Sequence, residues 1–205
     1  MTTSAGTLPR LPRWLVQLSS RPSNWIPAIF WFFLVVFQAA TAAKEPSIST
    51  FGLVAINAVA LVLFVTRRDA TRVGSTVEGA IAVAGTFVVS LLLIVSGDEG
   101  AALQRAPAIP TAIQAVGIAG WAVSLVALGR SLGIAPADRG LVRHGPYRLI
   151  RHPIYAFEAL FLLGWLLASP TTDDAAKNGV ILLVWAVLQV ARIVREERIL
   201  GGYDD

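Results

Sequence analysis

Six apolar segments, each bounded by short polar stretches, limit what this chain can fold into more than any other feature of its sequence. They run Trp25–Ala43, Phe51–Thr66, Thr76–Ser96, Ile109–Leu128, Ile154–Ala168 and Gly179–Val194. A helix rising 1.5 Å per residue needs about 20 residues to cross a hydrocarbon core of about 30 Å. The third and fourth segments reach that length. The last two fall short of it, which predicts tilt, local bilayer thinning or shielding by protein. With 55% of 205 residues apolar and only 15% charged, the chain lacks the polar surface of a soluble domain. The expected fold is all-α: a polytopic transmembrane helix bundle of six spans.

The loops between these segments set the orientation. With six spans, 14 basic residues fall on one side: Arg10, Arg13, Arg21, Arg67, Arg68, Arg72, Arg130, Arg139, Arg143, Arg148, Arg151, Arg192, Arg195 and Arg198. Only Lys44, Arg105 and Lys177 fall on the other, with Glu45, Asp98, Glu99, Asp173 and Asp174. Basic loops stay cytoplasmic, so both termini are expected there, in a protein of the cell (inner) membrane whose site faces the cytoplasm. Residues 1–24 read as an irregular cytoplasmic arm, 25–128 as a four-span membrane region, and 129–205 as a cofactor-binding loop with the last two spans and the helix end. The first span, with its arginine-bearing lead-in and Ala39–Ala43, also has the form of a cleavable signal peptide; cleavage would leave five spans and the same sidedness. Gly117, Gly120, Ala80 and Ala84 stand at spacings that let helices approach closely.

The chain has no cysteine, which excludes disulfides, thiolate metal sites and a cysteine nucleophile. Its net charge of +4 would point to nucleic acid in a soluble protein, but here the basic residues border apolar segments. Topology accounts for them, and no nucleic-acid partner is expected.

One loop breaks the apolar pattern. Residues Gly129 to Pro153 read GRSLGIAPADRGLVRHGPYRLIRHP, with five arginines, three prolines, four glycines and both histidines of the chain, His144 and His152. So many turn formers argue for a structured loop rather than a continued helix. Residue by residue, topology is the simpler account: arginines anchor a span, and a proline often opens a helix. The convergence of both histidines with Tyr147, Tyr155 and the arginines is what points to a pocket, which needs donors and rings together. The histidines are eight apart, unlike an i, i+4 metal pair on one helix face, and no metal site is expected.

A second constellation closes the last span: Arg192, Arg195, Glu196, Glu197 and Arg198. Carboxylates near a helix C-terminus face the negative end of its dipole. Arg192 and Glu196 are four apart and able to pair, in the weaker order. The cluster reads equally as a solvated helix extension and as a site where a glutamate holds a cation or ligand hydroxyls. Glu158, one turn after Tyr155, is an ionisable group at the mouth of a span; such groups face a cavity, a partner or the interface.

The run GLVRHGPYRLIRHPIY, followed some forty residues later by REERIL, resembles the isoprenylcysteine carboxyl methyltransferase family, itself similar to membrane phospholipid N-methyltransferases. The resemblance covers roughly residues 120–203. It implies a site for S-adenosyl-L-methionine, with S-adenosyl-L-homocysteine as product, between the RHP loop and the end of the last helix. Carried over by position, Arg139, Gly140, Leu141 and Val142 border the cofactor, Tyr147 contacts it, and His152, Pro153, Ile154 and Tyr155 form its binding core. Glu196 would hold the cofactor, and Arg192 would act catalytically beside the methyl acceptor. Arg151 belongs to the motif. Phe157 stands where the family commonly has glycine, and with Glu158 it is expected to border the acceptor. The tail stops at Gly201-Gly202-Tyr203-Asp204-Asp205, where the family usually continues with tyrosines and basic residues.

The implied partners are membrane lipids and a lipophilic or small acceptor bearing a carboxylate, thiol or amine. Two other functions fit parts of the pattern. A sterol-type membrane reductase using NADPH would share the C-terminal architecture, and a non-catalytic lipid-binding scaffold would keep the fold without the chemistry.

Overall fold

A computed structural model describes residues 25–67, 72–73, 107–133, 137–138 and 142–200 of the chain. The expected third span, Thr76–Ser96, lies outside the described residues, as do the arm 1–24, Ala80, Ala84 and the tail from Gly201. The described part is helical: α1 (Trp25–Lys44), α2 (Ile48–Thr66), α3 (Ala108–Leu128), α4 (Pro153–Leu167) and α5 (Thr172–Leu200). Two short segments, β1 (Arg72–Val73) and β2 (Ala137–Asp138), pair antiparallel with Arg72 opposite Asp138. Among the described residues, α1, α2, α3 and α5 are long and apolar enough to cross a membrane. The chain is an integral membrane protein.

The expected ends of α1, α2 and α3 agree with the observed ones within a few residues. Of the last two helices, α5 is longer than expected, while α4 matches the expected Ile154–Ala168 within one residue. The sequence placed the final span at Gly179–Val194, yet α5 is a continuous helix of 29 residues. Its first turn carries Asp173 and Asp174, which suit the positive end of the helix dipole, and Thr171 Oγ1 accepts from the Asp174 amide at 3.1 Å. Helix and apolar stretch are different quantities, and polar turns extend this one at both ends. By contrast α4 keeps to 15 residues, too few to cross a 30 Å core.

The helices pack in sequence: α1 on α2, α2 on α3, α3 on α4, and α4 on α5. A tight turn joins α1 to α2, where Ser47 caps α2. Its Oγ accepts from the Thr50 amide at 3.0 Å, and Thr50 Oγ1 accepts from the Ser47 amide at 2.9 Å. Between α2 and α3, Ser49 donates to Gln114 at 2.8 Å in a buried contact.

The closest approach is α3 on α4. A Cβ added at Gly117 would lie 2.6 Å from the Phe161 backbone nitrogen, and one at Gly164 would lie 2.9 Å from the Pro110 carbonyl. One at Gly120 would strike the Phe157 ring. Small residues here let two backbones touch, which in lipid replaces the hydrophobic drive that water would supply. Phe161, Leu162 and Trp165 of α4 join Ile118 and Leu125 of α3 in the buried core.

Candidate functional site

The loop from α3 to α4 is shaped by glycine. Gly129 ends α3 at φ +53° and Gly145 stands at φ +59°, backbone conformations that side-chain-bearing residues rarely adopt. Gly145 opens the 3₁₀ turn Gly145–Arg148 and rests 3.2 Å, measured from an added Cβ, from the Ala127 side chain. The loop therefore folds back against the end of α3. Pro153 takes the first position of α4, where its missing N–H leaves no bond unmade. His152 precedes it at the N-cap, but its side chain caps nothing. The ring turns instead towards α5.

There it meets the two glutamates. His152 Nε2 lies 2.7 Å from Glu197 Oε1, and its Nδ1 lies 3.7 Å from Glu196 Oε2. Tyr155, one turn into α4, donates its hydroxyl to both oxygens of Glu196, at 2.9 and 3.0 Å. Arg192 donates through Nε to Glu196 Oε1 at 2.9 Å and through Nη2 to the Gly133 carbonyl at 2.5 Å. The rings of His152 and Tyr155 stack at 5.6 Å and 14°. The Arg192 guanidinium lies 5.2 Å from the centre of the Tyr155 ring, a cation–π distance. Two stretches some forty residues apart thus close on one carboxylate. Arg192 and Glu196 side chains are only 12% and 19% exposed, so their pair is screened far less than a surface pair.

Tyr147, in the 3₁₀ turn, belongs to the same neighbourhood. Burial pushes its phenol above the ordinary range, and the negative charge of Glu196 pushes it further the same way. The phenol stays protonated at neutral pH and keeps its O–H as a donor.

The other positions marked from sequence divide into groups. Val142 is half-buried at the start of the turn, and Pro153 and Ile154 pack into the helical core. Arg139, Gly140 and Leu141 lie outside the described residues. Glu158 shares the α4 face of Tyr155 and lies beside Trp185, within electrostatic reach of Arg192. Phe157 is not brought to the cluster: its ring packs on Gly120 of α3. The bulk of this side chain fills a hollow left by a glycine on the neighbouring helix.

Sequence reasoning passed over Glu197 as a site residue. It binds His152, and Arg151 Nη1 donates to its other oxygen at 2.7 Å. The adjacent pair Glu196-Glu197 was the available signal, since consecutive helical residues point about 100° apart and address different partners. The Gly133 carbonyl that receives Arg192 had no signal in sequence. It depends on how the loop crosses α5.

Residues 109–202, which hold this cluster and the helices α3 to α5, match the model of the phospholipid methyltransferase family. No curated protein and no solved structure matches the chain. That family is one of methyltransferases, and its members typically use S-adenosyl-L-methionine. By this match residues 109–202 carry a phospholipid methyltransferase domain, of the membrane isoprenylcysteine/phospholipid methyltransferase group.

Proposed function

We propose that this protein transfers a methyl group from S-adenosyl-L-methionine to a lipophilic or small acceptor at the cytoplasmic face of the cell membrane. The observation that carries the reading is the convergence of His152, Tyr155 and Arg192 on Glu196 inside the family-matched segment. The donor set suits the cofactor. Its amino-acid end carries both charges, which Arg192 and Glu196 complement, its ribose hydroxyls suit a carboxylate, and its purine suits the stacked rings of His152 and Tyr155. In this reading Tyr147, His152, Pro153, Ile154, Tyr155 and Glu196 hold the cofactor, with Arg139 to Val142 along its edge and Arg192 towards the acceptor.

Bound there, the cofactor supplies a methyl group on a positively charged sulfur. The protein's part is then to orient and to exclude water, because in-line displacement depends on alignment and desolvation. Tyr155 and Arg192 fix the Glu196 carboxylate in one rotamer, and Glu197 fixes the His152 ring. Pro153 and Ile154 supply the dry wall on the α4 side. The cytoplasmic orientation is supported by the 14 basic residues on the side of this loop.

The test is calorimetric titration of the detergent-solubilised protein with S-adenosyl-L-homocysteine. Binding by the parent is expected, weakened about tenfold or more by Glu196→Ala and by His152→Ala, the size of a lost charge-assisted hydrogen bond. Absence of binding in folded protein, or affinity indifferent to both changes, would overturn the reading. One observation favours a second function: Glu196 and Glu197 already have partners from the chain itself, as a purely structural clasp between α4 and α5 would. A non-catalytic lipid-binding scaffold predicts that both variants lose thermal stability and change no ligand affinity.

A further inference from the structure

The turn ahead of α4 presents apolar and basic side chains together, on a surface that the cluster does not use. Leu149 is 89% exposed, more than any other large apolar side chain among the described residues, and Ile150 beside it is 43% exposed. Neither hangs on a loose backbone. The Leu149 and Ile150 amides both donate to the Pro146 carbonyl, at 3.0 and 3.1 Å, so the turn pins the pair in place. Arg148 precedes them and Arg143 stands just before the turn, both exposed. From Val142 to Pro153 there is no acidic residue. Arg151 is committed to Glu197, whereas Arg143 and Arg148 close no ion pair with any described residue.

The level of this turn follows from how α4 lies along α3. Phe157 packs on Gly120, Phe161 on Gly117 and Gly164 against Pro110, so the two helices run antiparallel. Stepping back from Phe157 through Pro153 therefore leads towards the end of α3, and there Gly145 meets Ala127. The turn sits beside the last helical turn of a candidate span, which also presents Val126 outward, 67% exposed. Apolar side chains at that level meet lipid or the boundary between lipid and water. Two arginines alone would suit a soluble anion, and two apolar side chains alone would suit lipid of any kind. Their combination suits a surface that is oily below and negatively charged above, which is the headgroup layer of an anionic bilayer.

Going beyond the methyl transfer proposed above, we infer that Arg143–Ile150 is a seat for anionic phospholipid. Leu149 and Ile150 enter the acyl boundary, and Arg143 and Arg148 hold the phosphodiester headgroups around them. A guanidinium offers phosphate two parallel N–H donors, and its apolar stem lies along the same boundary without cost. Each basic residue near an anionic surface favours contact about fivefold. Leu149 is three residues before His152, so the seat also sets the depth at which the cluster meets the membrane.

The chain has no cysteine, so a single introduced one reports a single place. Leu149→Cys, and Asp173→Cys at the start of α5, each carry the same polarity-sensitive fluorophore on the full chain. Both are reconstituted in nanodiscs of phosphatidylcholine alone or mixed equally with phosphatidylglycerol, and acrylamide, a neutral quencher, reads exposure to water. The Leu149 probe is expected to emit further to the blue than the Asp173 probe, and to be quenched less, in both kinds of disc. Phosphatidylglycerol should cut its water-accessible fraction about fivefold or more, and high salt should restore it. Arg143→Gln combined with Arg148→Gln should abolish the response to phosphatidylglycerol. The Asp173 probe, beside Asp174, should show no such response. All four positions are exposed, so thermal unfolding in detergent should stay as in the parent, which separates a lost contact from a lost fold. A Leu149 probe as open to acrylamide as the Asp173 probe overturns the inference. So does a phosphatidylglycerol response that survives the double substitution, or one that inorganic phosphate reproduces in phosphatidylcholine discs, which would assign the arginines to a soluble anion.

Discussion

The two seams of α4 are built on opposite principles. Against α3 it packs through glycines, backbone to backbone, with Gly117 under Phe161, Gly120 under Phe157 and Gly164 against Pro110. Against α5 it meets long polar side chains, Tyr155 and His152 reaching Glu196 and Glu197. A contact between backbones has no rotamers to change, so it fixes position, whereas a contact between side chains can open for a ligand and close again. The first seam holds α4 still so that the second can be adjustable. Chemistry is expected at the seam that can be remade.

The contrast can be broken from either side. The largest effect is expected from Gly117→Val, which forces a side chain into the Phe161 backbone, where nothing can rotate away. Overpacking of this kind costs about 1–3 kcal/mol, and thermal unfolding in detergent should fall by several degrees. Glu196→Gln, on the other seam, should lower S-adenosyl-L-homocysteine affinity roughly tenfold to a hundredfold in calorimetry while the unfolding temperature shifts less. If both variants act on stability alone, the seams do not differ in kind.

Gly120→Ala is expected to cost less than Gly117→Val, because the atom it strikes belongs to the Phe157 ring. Adding Phe157→Ala should recover part of that loss, with a coupling of about 1 kcal/mol in a double-mutant cycle of unfolding. Strict additivity would remove Phe157 from this interface. The smallest effect belongs to Arg151→Ala. The Arg151 side chain is 69% exposed where it meets Glu197, and such pairs contribute about 1 kcal/mol at most. Its effect on unfolding should shrink further as salt is raised.

Much of this was legible before any coordinates. Apolar runs marked α1, α2 and α3 because lipid demands an unbroken apolar face. They misjudged α5 because the turns around Asp173 and Arg198 are helical yet polar, and hydropathy stops where the lipid stops. The pairing of RHP with a distal glutamate came from resemblance; spacing alone left Arg192 and Glu196 open between a solvated helix end and a site. Glu197 was visible as a residue but not as a partner, since its bond to His152 joins elements 45 residues apart. The packing of Phe157 was not legible, since the residue its ring rests on, Gly120, is on another helix.

The shortness of α4 has a consequence for where the reaction takes place. Fifteen residues extend about 22 Å, roughly one and a half helical turns less than the bilayer's apolar thickness. Its neighbours α3 and α5 have no such shortfall, so the bilayer is expected to thin around α4. On the function proposed above, a water-soluble methyl donor would then meet a lipid acceptor there without crossing the full depth of oil.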